Sequence, residues 1–149
     1  MSDDDLVRRL AAATSTLLRI FKVADSHNIA ELPPPELHAL LFLGEADGAT
    51  PGEVAAHLAV AATTCTSIVD RLARQGLVTR SRDEIDRRSV RIRLTEDGRR
   101  AFDSVEAEHE RRYRAMLEPL STEERRAIVG LMEKVAAAVS PRDKPPGWP

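Results

Sequence analysis

Arginine is the residue whose number and spacing give this chain its chemistry. Within residues 71–93 stand Arg71, Arg74, Arg80, Arg82, Arg87, Arg88, Arg91 and Arg93, opposed only by Asp83, Glu84 and Asp86. The segment therefore carries +5 in a chain whose formal net charge is −2. Such asymmetry marks a face for polyanions on an otherwise acidic protein. The guanidinium fork suits phosphate oxygens and the O6/N7 edge of guanine, which a flexible ammonium matches less well. Just before this segment, Thr63, Thr66, Ser67, Asp70 and Arg74 fall on one side of an expected helix, at about 100° per residue, with Arg71 at the margin. Cys65, Ile68, Val69 and Leu72 fall on the other side. Small hydroxyl residues are weak helix formers. On an outer face they let the helix backbone approach a second surface closely, as in a DNA major groove. Taken by itself, that face also reads as an ordinary solvated one.

Several elements must hold these residues. Thr50, Pro51 and Glu53 form a helix start, with the cap, the first-position proline and the returning carboxylate in sequence. Val54 and Leu58 then share a face, and residues 59–62 connect to a second helix over about 62–75. Gly76 is placed to end that helix in a left-handed conformation. Residues 77–80 read as a strand. Val90, Ile92 and Leu94 alternate with Arg91 and Arg93 as a second strand. The charged residues 81–89 join them. Helix, turn, helix and β-hairpin in this order make a winged helix, and the positive charge falls on the helix and hairpin that would need it.

The flanks read as helices with unpartnered apolar stripes. Over residues 4–26, Leu6, Leu10, Ala13, Leu17, Ile20 and Ala24 recur at intervals of three and four, widened by Leu18 and Phe21. That is more apolar surface than a small lobe can bury, which implies packing against a partner chain. The run Leu32-Pro33-Pro34-Pro35 breaks the helix, and a second begins at Glu36 and ends at Glu45, with Leu37, Leu40, Leu41 and Gly44 on one side. Asp47-Gly48 turns into the central stretch. Thr95 caps a long helix to about residue 117, containing Phe102 and Val105 and closed by Pro119. Ser121 and Glu124 form a capping box for a last helix striped by Ile128, Leu131, Met132, Val135 and Val139. Residues 140–149, rich in proline and including Trp148, read as a disordered tail.

Composition narrows the function classes. One cysteine excludes an internal disulfide and a cysteine-based zinc cluster. No run of about 18 apolar residues is present, and the acidic N-terminus lacks an apolar signal region, so a soluble cytoplasmic protein without a membrane partner is expected. His27, His38, His57 and His109 are scattered, and neither a Ser/His/Asp order nor a phosphate-cradling glycine loop is apparent. No enzyme activity, metal or cofactor is therefore expected.

With these residues in view, the chain resembles the MarR family of bacterial transcriptional regulators. The resemblance lies in ELHALLFL, then TPGEVAAHLAV, then SIVDRLARQGLVTRSRDEIDRRSVRIRLTEDGR, and runs from about residue 6 to residue 138. Its most specific part is Asp86-Arg87-Arg88 followed by hydrophobic alternation and Leu94-Thr95-Glu96-Asp97-Gly98; the order of several motifs, and no single one, is what is strong. It implies a mainly α (α+β) fold: a winged helix-turn-helix lobe over residues 36–98 and a dimerisation domain from terminal helices at 4–30 and 99–139. It implies a homodimer acting as a repressor on double-stranded DNA, at a pseudo-palindromic operator with half-sites about 10 bp apart. It also implies release by a small, often phenolic or lipophilic, ligand held between the dimer helices and the reading lobe.

Carried over residue by residue, Thr63, Thr66 and Ser67 would meet base edges or nearby phosphates, and Arg71 and Arg74 would clamp phosphates. Arg87 or Arg88 would enter the minor groove. Asp86 would position the wing by pairing with a neighbouring arginine, and Asp70 would orient an arginine. Arg19 and His38 are the candidates for an anionic ligand, although His38 reads more simply as an exposed or core-edge histidine. Ala61 and Ala62 stand where the family often has Ser-Pro, so the recognition helix lacks its usual side-chain cap. Some members sense oxidants through a cysteine in the first helix, where this chain has none. Cys65 reads as a small buried apolar residue. Two alternatives remain: a winged helix serving protein–protein contact, and a non-specific DNA binder without ligand sensing.

Overall fold

In the computed structural model, which describes residues 2–139, side-chain caps set the starts of several helices. The tail at 140–149, with Trp148, lies outside the described residues. The order is α1 (Asp3–Ser26), α2 (Pro34–Glu45), α3 (Pro51–Leu58), α4 (Ala62–Arg74), β1 (Val78–Arg82), β2 (Val90–Leu94), α5 (Glu96–Leu117) and α6 (Thr122–Ala138). The fold is thus mainly helical with one small antiparallel sheet, as the sequence implied. Ser2 caps α1, and Thr50 with Glu53 and Ser121 with Glu124 form reciprocal capping boxes on α3 and α6. Helix α2 starts two residues earlier than expected, because the fixed φ of proline suits a first helical turn.

Helix α4 closes with Gly76 at φ +73°, the Gly76 N–H donating to Ala73 and the Leu77 N–H to Leu72. That closure draws Leu77 into the helix end, so β1 begins at Val78 rather than at residue 77. It also runs two residues further than expected, because Arg82 pairs with Val90; the register continues through Arg80↔Ile92 to Val78↔Leu94. Ala49 adds a bridge to Ile92, tying the α2–α3 turn to the hairpin. Helices α3 and α4 meet at a bend of 106°, within the range of helix-turn-helix pairs.

The described residues divide into two compact units, residues 2–108 and 109–139. In the first, Leu37, Leu40 and Leu43 of α2 pack with Val54, Ile68, Val69, Leu72, Ile92 and Val105 in a core that excludes water. Removing one such leucine side chain costs about 2–5 kcal/mol. The core also takes in the start of α5: Val105 is fully buried, and Ala101 and Phe102 pack against the core. Gly44 makes this possible, since a Cβ there would overlap the Phe102 ring. Between α1 and α2, the buried Asn28 side chain donates to the carbonyls of Asp25 and Leu32 and accepts the Leu32 N–H. Helix α1 itself has no buried residue, and Leu6, Val7, Leu10, Leu17, Leu18, Ile20 and Val23 are exposed. In the second unit, Arg125 donates to the carbonyls of Leu117, Glu118 and Leu120, and α6 exposes Leu131, Met132 and Val135.

Candidate nucleic-acid interface

Helix α4 divides as its sequence periodicity requires. Cys65, Ile68, Val69 and Leu72 are buried, while Thr63, Thr66, Ser67, Arg71 and Arg74 are exposed. The Thr66 hydroxyl donates to the Ala62 carbonyl at 3.0 Å and the Ser67 hydroxyl to the Thr63 carbonyl at 3.2 Å. Both oxygens therefore keep lone pairs for an outside donor, and a rotation of the hydroxyl frees the proton for an outside acceptor. Ala61 offers no side-chain cap, so the N–H groups of the first turn lack a side-chain acceptor and face solvent.

The wing is organised by two aspartates in different ways. Asp83 accepts the Ile85 N–H at 2.9 Å and the Arg91 Nε–H at 3.1 Å. These contacts, the backbone one first, hold its carboxyl below the usual carboxylate range. Because that pKa is depressed, the stabilisation is complete above the ordinary carboxylate pKa and is lost only as acid titrates the folded carboxyl. Asp86 accepts the Arg88 backbone N–H at 3.0 Å, and its own carbonyl accepts the Ser89 N–H. The expected pairing of Asp86 with an arginine side chain is therefore corrected: Asp83 makes the ion pair with Arg91, and Asp86 shapes the turn. Position in the loop explains the difference. Both aspartates reach their own chain two residues on, but Asp83 stands at the mouth of the loop and also lies across from Arg91. Arg87 and Arg88 are exposed, and neither joins a side-chain ion pair among the described residues. Ile85, beside them, is 99% exposed.

Two further pairs fix arginines at the base of this surface. Asp70 of α4 accepts from Arg80 Nη2 of β1 at 2.5 Å, so Asp70 does orient an arginine. Arg71 is anchored at one edge: its Nε–H donates to Oε1 of Glu36, on α2. Glu36 is 2% exposed, and its Oε2 is the buried side-chain oxygen without a hydrogen-bond partner among the described residues. The sequence held a signal for it, since Glu36 shares a helical face with Leu40 and Leu43, where a carboxylate is out of place. Among the described residues, Arg74 is held by a long bond from Nε to the Asp70 carbonyl, 3.4 Å.

The ligand candidates are not brought together. His38 lies 3.5 Å from Asp25 and is half exposed, and Arg19 is exposed on α1 with no described contact to His38. A recess of about 500 Å³ at the α1–α2 link is lined by Ser26, His27, Asn28, Glu31, Leu32 and Pro33, and neither candidate borders it. Cys65 is buried, donates to the Pro51 carbonyl at 3.5 Å, and has its thiol pKa pushed up by burial, against a smaller opposing effect of Arg80. A thiol so placed resists forming the reactive thiolate.

Residues 30–89 match a family model described as MarR family. Over 93 residues the chain is 34% identical to the HTH-type transcriptional regulator YsmB of Bacillus subtilis, described as uncharacterized, covering 62% of this chain and 64% of that protein. Over 88 residues it is 39% identical to the HTH-type transcriptional regulator PecS of Dickeya dadantii, covering 57% of this chain and 53% of that protein. The chain thus spans less than two thirds of the length of these two relatives. Its fold superposes on the structure of a MarR family protein from Bacillus stearothermophilus with a TM-score of 0.78 at 30% identity, over 93% of this chain and 98% of that one.

Proposed function

The chain belongs to the MarR family, and on that premise we propose that it is a DNA-binding transcriptional regulator, a repressor acting as a homodimer on a pseudo-palindromic operator. The observation that supports this best is the exposure of the polar face of α4 together with that of the wing arginines. Thr63, Thr66 and Ser67 stand on one element, and on the other Arg87 and Arg88 stand without ion pairs among the described residues. Helix α4 would enter the major groove, Arg74 would meet phosphate, and the wing arginines would reach the adjacent minor groove. Asp83 and Asp86 would hold the wing in shape. The exposed apolar residues of α1, and separately those of α6, support a dimerisation surface built from both chain ends. The reading lobe then extends from residue 36 through Val105. No described helix is long and apolar enough to cross a membrane, in keeping with a cytoplasmic regulator. Release by a small phenolic or lipophilic ligand, with Arg19 and His38 meeting an anionic one, rests on family membership alone.

Gel-shift titration tests the wing. Arg87→Ala and Arg88→Ala are each expected to keep the fold, because both side chains are exposed. At least one should weaken binding by about tenfold, the usual effect of removing a side chain that reaches a groove. If both bind as tightly as the unaltered protein, the wing does not touch DNA.

A further inference from the structure

We propose that Glu36, outside the DNA-facing surface, is a positioning residue for DNA binding: its buried carboxylate grips Arg71 at Nε and holds the remaining guanidinium edge ready for a backbone phosphate beside α4. The inference rests on the DNA-binding reading above and assigns that reading a residue from α2. Three observations carry it. First, Glu36 is 2% exposed while the Arg71 side chain remains 46% exposed, so the pair has one buried end and one open end. Second, Arg71 sits at the margin of α4, between the buried Ile68 and Leu72 and the exposed Ser67 and Arg74. The open end thus borders the surface that carries Thr63 and Ser67. Third, Glu36 Oε2 is buried without a hydrogen-bond partner among the described residues.

The third observation separates a functional pair from a stabilising one. A buried ion pair is a poor source of stability even when every lone pair is satisfied, and an apolar pair of similar size commonly does as well. Here one carboxylate oxygen goes unsatisfied. The arrangement secures the fixed direction of Arg71. An unheld arginine loses rotamer freedom when it meets a phosphate; Arg71 has lost it already in the free protein. Because Glu36 engages only Nε, the Nη groups keep their donors for the phosphate. The buried carboxylate also prevents Arg71 from leaving to follow the DNA, so the guanidinium is fixed relative to α2 and α4 together.

The test is a salt titration of binding to a mixed-sequence duplex a few helical turns long, with full-length unaltered protein, Glu36→Gln, Glu36→Met and the double variant Glu36→Met/Arg71→Met. Circular dichroism establishes that each is folded at the assay temperature. Glu36→Met puts an apolar side chain of similar length into an apolar site, and the half-exposed Arg71 reaches water, so folding is expected to survive. Glu36→Met should bind about tenfold more weakly, the scale of one charge-assisted hydrogen bond. Its slope of log affinity against log salt should be shallower by about 0.9 for each phosphate that Arg71 no longer neutralises. Glu36→Gln keeps an oxygen acceptor for Nε and should bind like the unaltered protein, while the double variant should be no weaker than Glu36→Met. A merely structural role would leave the salt slope of folded protein unchanged. If the unaltered protein binds and any other pattern is found, including equal affinity of Glu36→Met and unaltered protein, the positioning role is overturned. If the unaltered protein itself fails to bind, the DNA-binding reading falls first and this inference with it.

Discussion

Arg71→Ala should destabilise the folded protein by about 3 kcal/mol, the lower end of the cost of removing one partner of a buried ion pair. The large effect comes from what stays behind. Glu36 is 2% exposed, one of its oxygens already lacks a partner among the described residues, and Arg71 is the group that compensates its charge. Without Arg71 the carboxylate is left buried with no opposing charge, or the α2–α4 packing must open to let water reach it. Urea unfolding followed by circular dichroism reads this as a lower midpoint at an unchanged slope. Two controls sharpen it. Arg74→Ala, on the same helix with only a 3.4 Å bond to a carbonyl, should move the midpoint little. Glu36→Met/Arg71→Ala should recover much of the stability, because the uncompensated charge is gone. A midpoint for Arg71→Ala equal to that of Arg74→Ala would show that Glu36 and Arg71 are not paired.

Gly98→Ala is expected to cost about 3 kcal/mol, at the upper end of overpacking effects, and to weaken DNA binding beyond its effect on stability. A Cβ at residue 98 would overlap the Leu77 carbonyl oxygen. That oxygen cannot move aside easily. It accepts the Thr95 N–H at 3.0 Å, while the Thr95 hydroxyl donates to the Gly76 carbonyl at 2.5 Å and accepts the Gly98 N–H at 3.0 Å. The start of α5, the end of α4 and the base of the wing are thus joined at one point. Relief of the clash must shift the hairpin against the recognition helix. Gly130 in α6 gives the contrast: a Cβ there meets nothing within 4 Å. Gly130→Ala should therefore stabilise the protein by about 0.5–1 kcal/mol through helix propensity. Thermal unfolding of the two variants should move in opposite directions; movement in the same direction would mean the α4–wing–α5 junction is looser than its hydrogen bonds imply.

What could be read from the sequence follows a physical line. Local signals were legible. Thr50 with Glu53, Ser121 with Glu124, and Gly76 each act within a few residues, and the structure uses each at its expected place. The two faces of α4 were legible because burial imposes a period. Pairings between distant segments were not. Glu36 and Arg71 are 35 residues apart, and only the anomaly of a carboxylate on an apolar helix face hinted at the pair. Asp83 and Asp86 are chemically equivalent as residue types and both accept a backbone N–H two residues on; loop geometry alone decides that Asp83 also meets Arg91. The packing of the start of α5 was hidden for the same reason. Phe102 and Val105 join the core because Gly44, on another helix, leaves room for an aromatic ring.

Selection of bound fragments from a random duplex library at near-physiological salt asks whether a dimer of this chain recognises DNA specifically. The expected result is one pseudo-palindrome, its half-sites about 10 bp apart to match two recognition helices related by a two-fold axis. Recovery of no common motif, with binding abolished by a modest rise in salt, would contradict it, leaving a winged helix that meets DNA only through its charge.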